Sequence, residues 1–429
     1  MENPPKLPPI QVAQLDLDGP EGAVLDFRPA LGSGAEIGGG DVYALVRLNG
    51  RPVATVVCRV APGKNAADAV AAEARALLAR SAPEQPVLTA PGPLPRTSVI
   101  VATRERADSL ARALDSLLAQ NHPDFEVIVV DNAPVTTATQ DLVEQKYEGR
   151  VRYAREEVPG LAIAHNRGVA VAGGEVLAFT DDDVIADPNW LTALTTPFAA
   201  DPALGCATGL ILPAQLGTPA QILLESHGGF AKGFAPRLYD PADPPADEPL
   251  FPFTAGSFGS GANMAFRAAA LRSAGGFDPA TGTGTPARGG DDLYAFVSVL
   301  AAGHKLRYSP EALVWHHHRE TWQDLKNQAY GYGAGLTAFL TATLVRRPSM
   351  LPSLLRKLPR GLAHARTITA HRDSGDAAVP GAHGAQDYPW PRHLSRLERR
   401  GMLAGPIGYA KARRRVRGVS LPWDREEQR

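Results

Sequence analysis

The sequence predicts an α/β fold: a mostly parallel, Rossmann-type sheet flanked by helices, with a small N-terminal α+β module and a basic helical C-terminal tail. Three observations carry this expectation. From Thr97 onward, strand-like and helix-like patterns alternate in β-α-β-α order. The strand-like runs are continuously apolar, as in a parallel sheet buried on both faces. Composition also shifts twice, at a Pro-rich stretch ending near Arg96 and at a basic stretch beginning at Arg346.

The first region is 1–96. "DVYALVRLNGRPVATVVCRV" holds two β-rich runs around Asn49-Gly50, a strong hairpin signal. "NAADAVAAEARALLAR" is rich in helix formers and opens on an Asn cap. "SAPEQPVLTAPGPLPR" reads as a linker. Nothing in this region clusters the residue types that chemistry needs.

The second region is 97–345. "TSVIVAT" is a strand, and "RADSLARALDSLLAQ" is an amphipathic helix with Leu110, Ala113, Leu114, Leu117 and Leu118 on its apolar side. "FEVIVVDN", "VRYARE" and "EVLAFTDDD" are further strands, separated by helices at "TQDLVEQKY" and "LAIAHNRGVAVA". In open α/β sheets, ligands bind beyond the carboxyl ends of strands. Thr103, Asp131 and the run Asp181-Asp182-Asp183 all stand there.

The third region is 346–429. Arg346, Arg347, Arg356, Lys357 and Arg360 mark one basic cluster and "YAKARRRVRG" a second, with a Gly/Ala/Asp-rich, flexible stretch between them. The clusters are either a solvated surface or a peripheral contact with an anionic membrane, where each cation contributes about 1 kcal/mol.

Composition excludes several classes. The 429 residues carry a formal net charge of −1, so no global electrostatic case for nucleic acid exists. Two cysteines, Cys58 and Cys206, make no metal spacing or disulfide framework and favour a reducing, cytoplasmic compartment. The longest apolar stretch, Gly331 to Val345, is shorter than the roughly 20 residues of a spanning helix.

Three adjacent carboxylates after a buried strand repel one another, and a turn-forming or capping role does not account for all three. Hard divalent cations take oxygen ligands, and Mg²⁺ typically binds one or two carboxylates plus substrate phosphate oxygens. Asp181 and Asp183 are placed to flank such an ion, and Asp187 to cap the helix opened by Pro188 and Asn189.

"TSVIVATRERADSLARALDSLLAQNHPDFEVIVVDNAP", "AHNRGVAVAGGEVLAFTDDDVIADPNWL", "GSGANMAFRAAALRSAGGFDP" and "GGDDLYAFVSVLAAGHKLRYSPEALVWHH" follow in this order. Together they resemble the family 2 glycosyltransferases with the GT-A fold, over about Thr97 to Val345. The resemblance implies an inverting hexosyltransferase, moving a sugar from a nucleoside diphosphate sugar to an acceptor hydroxyl with help from Mn²⁺ or Mg²⁺. A UDP-sugar is the favoured donor, and the acceptor a glycan, a lipid-linked glycan or a small molecule. The family's DxD motif falls on Asp181 to Asp183, making Asp181 and Asp183 metal ligands and turning Asp182 toward the ribose or donor sugar.

The same resemblance places Thr103, Glu105, Arg106, Asp131 and Asn166 against the nucleotide and donor. Ala102 and Arg104 replace the family's usual proline and aromatic residue. The family's acidic pair at a helix start aligns with Asp291-Asp292, with Asp292 as general base and Asp291 in a secondary role, where Asp replaces the usual Glu. His316 in "VWHHHRE" aligns with a further metal ligand or phosphate contact, and the metal-ligand role is the one expected of it. Extended geometry turns His316 and His318 one way and His317 the other. The glycines of "AGSFGSGANMAFR" and "TGTGTPARGG" suggest close backbone approach to sugar and acceptor, or a loop that orders on donor binding. The alternatives are a sugar-phosphate nucleotidyltransferase, which needs a glycine-rich loop that "ATRERADS" lacks, and a non-catalytic sugar-nucleotide binding protein.

Overall fold

The computed structural model describes residues 4–19, 22–34, 36–80, 88–227, 229–357, 359, 382–383, 388 and 390–418. It contains two sheets packed against each other.

The smaller sheet is built from β1 (Gln11–Asp18), β2 (Ala23–Pro29), β3 (Gly40–Leu48) and β4 (Arg51–Val60), with α1 (Ala66–Leu78) against it. Asn49 and Gly50 both take positive φ, 52° and 76°, which closes the β3–β4 hairpin as the sequence predicts. The Asn65 side chain accepts a hydrogen bond from the Ala67 N–H at 2.9 Å and caps α1. Val70, Ala71, Ala74 and Leu77 then recur at helical spacing and bury against Ala13, Leu15, Ala44 and Val56.

The larger sheet begins with β5 (Thr97–Thr103), α2 (Ala107–Leu117), β6 (Phe125–Asn132), α3 (Ala138–Lys146), β7 (Val151–Glu156), α4 (Leu161–Val171) and β8 (Val176–Asp181). It continues through β9 (Val184–Ala186), α5 (Trp190–Ala200), β10 (Leu204–Pro213), α6 (Pro219–Ser226), β11 (Arg237–Tyr239), β12 (Asn263–Arg267) and α7 (Ala268–Ser273). The last elements are α8 (Asp291–Ala301), β13 (Lys305–His316), α9 (Trp322–Arg346), β14 (Ala382–His383) and α10 (Arg392–Arg415). Of these, β14 joins the smaller sheet beside β4.

The strand order is β11-β13-β10-β12-β8-β5-β6-β7, with β9 paired to β13. Pairs β5–β6, β6–β7, β5–β8 and β10–β13 are parallel, whereas β12 is antiparallel to both β8 and β10. Strands β8, β10 and β13 therefore point the same way as β5 and β6. The carboxyl ends of β5, β6, β8 and β13 share one edge, and with them Thr103, Asp131, Asp181 and His316. Successive residues of β5 enter opposite cores, Ile100 with Phe179 and Phe266 on one face, Val99 and Val101 with Leu110 and Leu114 of α2 on the other. This two-sided burial is why the strands read as unbroken apolar runs.

The two sheets meet where Val12, Tyr43 and Leu45 pack on Leu210, Leu212, Leu313 and Trp315. A buried ion pair, Arg47 to Asp187 at 2.6 Å, crosses the same interface. Asp187 caps only its own turn, accepting from the Asn189 N–H, and α5 starts after Asn189 without a side-chain cap. The expected helix-capping role is thus not the one Asp187 takes, and its ionic role is one that no local pattern encodes.

In the basic C-terminal region, α10 lies against α9 with backbones almost touching. A Cβ added at Gly401 would fall 2.1 Å from the Tyr330 carbonyl oxygen, and one at Gly405 2.3 Å from that of Ala334. Three cations of the first basic cluster are tied to the protein: Arg346 to Asp278 at 3.0 Å, Arg347 to the Ala274 carbonyl, and Lys357 to that of Pro249. Arg360 lies outside the described residues. No described helix is long and apolar enough to cross a membrane.

Candidate functional site

The edge of the sheet collects the acidic run. Thr180 ends the apolar part of β8, and its buried hydroxyl donates to the Ala262 carbonyl at 2.8 Å, fixing where the strand stops. Asp181 ends β8, Asp182 and Asp183 form the tight turn to β9, and the His317 N–H donates to the Asp183 carbonyl at 2.9 Å. The end of β13 thereby lies alongside the turn and brings His316 Nε2 to 3.3 Å from Asp183 Oδ1.

Asp181, Asp183 and His316 each offer one ligand atom, and these atoms lie within 4.8 Å of one another. Burial, and then the charge of Asp183, push the Asp181 carboxyl up to about 7. Burial also opposes ionisation of Asp183, but the hydrogen bond and charge of His316, with the charge of Arg106, hold it down at about 2. Burial lowers the basicity of His316, yet the hydrogen bond and charge of Asp183 outweigh it and raise the imidazole above its ordinary value. Two carboxylates and an imidazole form a mixed oxygen and nitrogen donor set that suits a first-row divalent ion such as Mn²⁺. The residues fit a cation.

The histidine run splits as alternation requires. His316 and His318 lie together, ring centroids 5.1 Å apart, while His317 turns away toward Gly32.

The candidate nucleotide side separates into residues that face the edge and residues that do not. Thr103 donates to Asp182 Oδ2 at 2.6 Å, and Arg106 bridges Asp182 Oδ1 at 2.8 Å and Asp183 Oδ2 at 3.1 Å. Asp182 is therefore occupied with Thr103 and Arg106, rather than open toward a ribose. Asp131 is buried, accepts from the Tyr153 hydroxyl at 2.9 Å, and has a second oxygen without a protein partner. Burial raises its carboxyl above the ordinary range.

Glu105 sits at positive φ and accepts from the N–H groups of Val135 and Thr136 and from the Thr136 hydroxyl. Its carboxylate organises the loop after β6. Asn166 departs from the expectation most clearly. Its amide donates to the Phe277 carbonyl and accepts from the Phe277 N–H, at 2.8 and 3.0 Å, in a buried position. Both functions are used inside the protein, so Asn166 ties α4 to the loop before α8 and does not reach a donor.

Asp291 and Asp292 open α8 behind Gly290, which takes φ 85°. Asp292 is the more accessible of the two. Its oxygens accept from the Gly261 N–H at 2.9 Å and the Leu293 N–H at 2.8 Å. Burial, and then the charge of Asp291, raise its carboxyl to about 6. Asp291 is buried with Oδ2 3.5 Å from His165 Nδ1, which is itself wedged between Phe179 and Phe277. Segment 261–262 links the two acidic groups, since Gly261 binds Asp292 and Ala262 binds Thr180 next to Asp181. Two of the nearby glycines are needed for close packing: a Cβ at Gly290 would lie 2.5 Å from the Gly335 carbonyl oxygen, and one at Gly282 3.1 Å from the Ala162 nitrogen.

Three further residues belong to this neighbourhood. Arg319 Nη2 is 3.6 Å from Asp183 Oδ2. Glu225 on α6 is 3.1 Å from His318 Nε2. Burial lowers the basicity of Lys232, and the charges of Asp292 and Glu225 act against that lowering. Arg319 adjoins the histidine run and was findable there. Glu225 and Lys232 lie in the stretch between β10 and β12, where no local pattern points to them.

Residues 98–272 match the model of glycosyl transferase family 2. The pre-mycofactocin glycosyltransferase of Mycobacterium tuberculosis is 29% identical over 238 residues, 55% of this chain and 46% of that protein. The validoxylamine A glucosyltransferase of Streptomyces hygroscopicus is 38% identical over 126 residues, 27% of this chain and 29% of that protein. The chain thus spans less than half the length of these curated relatives. Among solved structures, a mannosyltransferase from Pyrobaculum calidifontis in complex with GDP-Man and Mn²⁺ superposes with a TM-score of 0.50 at 19% identity, over 78% of this chain and 92% of that one. That likeness gives the fold, the helix-flanked and mostly parallel GT-A sheet. The matched segment carries Thr103, Arg106 and the three aspartates at the sheet edge, and over these residues the chain is similar to glycosyltransferase family 2.

Proposed function

We propose that the protein moves a hexosyl group from a nucleoside diphosphate sugar to an acceptor hydroxyl, with inversion at the anomeric carbon and with a divalent cation. The observation that carries this reading is the convergence of Asp181, Asp183 and His316 at the carboxyl edge of the sheet. They would hold Mn²⁺ or Mg²⁺, which neutralises the charge that develops on the departing diphosphate. Arg106 and Arg319 add positive charge beside Asp183. Asp131, buried at the carboxyl end of β6, is the acidic residue we assign to the nucleoside side of the site.

Asp292 acts as general base. A carboxyl raised to about 6 is ionised at neutral pH yet more basic than an exposed aspartate, and backbone N–H groups hold it in place. Asp291 steadies the start of α8 through His165. The acceptor is a glycan, a lipid-linked glycan or a small molecule, and a UDP-sugar is the first donor to assay, with GDP-mannose as the second. We place the activity in the cytoplasm. A peripheral contact with the inner face of the membrane would use the outer side of α10, where exposed Leu403 and Ile407 are flanked by Arg399, Arg400, Lys411 and Arg414.

The test is release of nucleoside diphosphate from a panel of donors, with Mn²⁺ and then with EDTA. Metal-dependent turnover of at least one donor is expected. Silence across the panel, or full rates in EDTA, would refute the reading.

A further inference from the structure

His316 does not stand alone. Its Nδ1 lies 2.8 Å from Nδ1 of His318, whose Nε2 lies 3.1 Å from Glu225 Oε2, and the Tyr43 hydroxyl donates to Glu225 Oε1 at 3.3 Å. All four side chains are buried, and the chain of contacts runs from the acidic edge into the smaller sheet. Phe230 covers both imidazoles, and Gln221, inside the capping box of α6, donates to the His318 carbonyl.

Hydrogen-bond chemistry fixes where the protons sit. A carboxylate only accepts, so His318 Nε2 carries the hydrogen that meets Glu225. Neutral His318 then has a bare Nδ1, and the contact with His316 requires the hydrogen to be on Nδ1 of His316. That leaves His316 Nε2 facing Asp183, where it donates a hydrogen when no cation is bound, and only the loss of that hydrogen, with Nδ1 still protonated, gives a lone pair that can bind a cation. A histidine that ligates a metal commonly donates its other ring N–H to a second group that sets its orientation and tautomer. Here the second group is another imidazole, set in turn by a carboxylate.

We propose that Glu225, acting through His318, is a positioning residue for His316. Tyr43 holds Glu225, so the smaller sheet forms part of the support of the cation site. Two other contacts of that sheet bear on the same turn, Arg47 on Asp187 and Gly32 on His317. The proposal rests on the cation reading given above.

Mn²⁺ affinity, followed by the electron paramagnetic resonance signal of free Mn²⁺, is the direct readout in the absence of donor and acceptor. Glu225→Leu removes the acceptor and should weaken Mn²⁺ binding by about 10- to 100-fold, the usual cost of losing such a partner. Glu225→Gln keeps an oxygen that can accept from His318 and should restore affinity to near wild type. Wild-type affinity in a Glu225→Leu protein that melts normally in EDTA would overturn the proposal.

Should that variant fail to fold, nitrogen NMR of histidine-labelled wild type gives the proton order directly, with His318 assigned by its loss in His318→Gln. A protonated Nε2 and a bare Nδ1 on His318 are expected, and a protonated Nδ1 there would refute the proposal. Failure of the wild type to bind Mn²⁺ would instead refute the cation reading, a result distinct from either.

Discussion

Asp181 and Asp183 are the same residue type two positions apart, and their surroundings drive them in opposite directions. Burial and its neighbour's charge raise Asp181 to about 7, whereas His316 and Arg106 hold Asp183 at about 2. A proton on Asp181 competes with a cation for the same oxygen, so the sign follows directly. Below about pH 7 Asp181 is protonated and Mn²⁺ must displace that proton, and His316, whose basicity Asp183 raises, must give up a second one from Nε2. Apparent Mn²⁺ affinity should therefore fall by at least roughly tenfold per pH unit on the acid side and level off once both groups have lost their protons. Titrations between pH 5.5 and 8.5 check this, and a flat profile would contradict it. Both aspartates were legible in the sequence because a strand end and a run of like charges are local signals. The resemblance supplied the place of His316 in that group, and strand alternation its side of the chain. Asn166 illustrates the limit: an amide in a helix looks equally available to a nucleotide or a distant backbone, and only packing brings Phe277 within its reach. Glu225 was hidden for the same reason, its partner lying 93 residues away.

At the scale of elements, the apolar strands, the Asn49-Gly50 turn and the Asn65 cap were legible because each rests on adjacent residues. The C-terminal region was not. Its arginines dominate the sequence, while the feature that docks α10 is the spacing of Gly401, Gly405 and Gly408 opposite Tyr330, Ala334 and Pro286. Small residues on one helix face allow this approach, and the composition of the region masks them. Gly405→Val tests the packing, because its first added carbon would fall 2.1 Å from Thr337 Oγ1 and 2.3 Å from a backbone oxygen that cannot move aside. The variant should lose about 3 kcal/mol, the upper end for overpacked interiors. An unchanged denaturant midpoint would mean that α10 is not held in this way.

At the scale of the whole molecule, the two acidic groups come from different parts of the fold. The turn after β8 and the end of β13 supply Asp181, Asp183 and His316, while Asp292 starts a helix across the short segment 261–262. The smaller sheet, in which the sequence placed no chemistry, reaches this centre through Tyr43 and Arg47. The central claim is a division of labour, with one group holding the departing diphosphate and the other taking the acceptor proton. Its most direct test is a side-by-side measurement of transfer rate and of Mn²⁺-dependent donor binding in Asp292→Asn and Asp183→Ala. Asp292→Asn should lose about 10²- to 10⁴-fold in rate, the usual contribution of a positioned base, with donor binding near wild type. Asp183→Ala should lose Mn²⁺-dependent binding and rate together. A fully active Asp292→Asn, or an Asp183→Ala that still binds donor through Mn²⁺, would contradict the account.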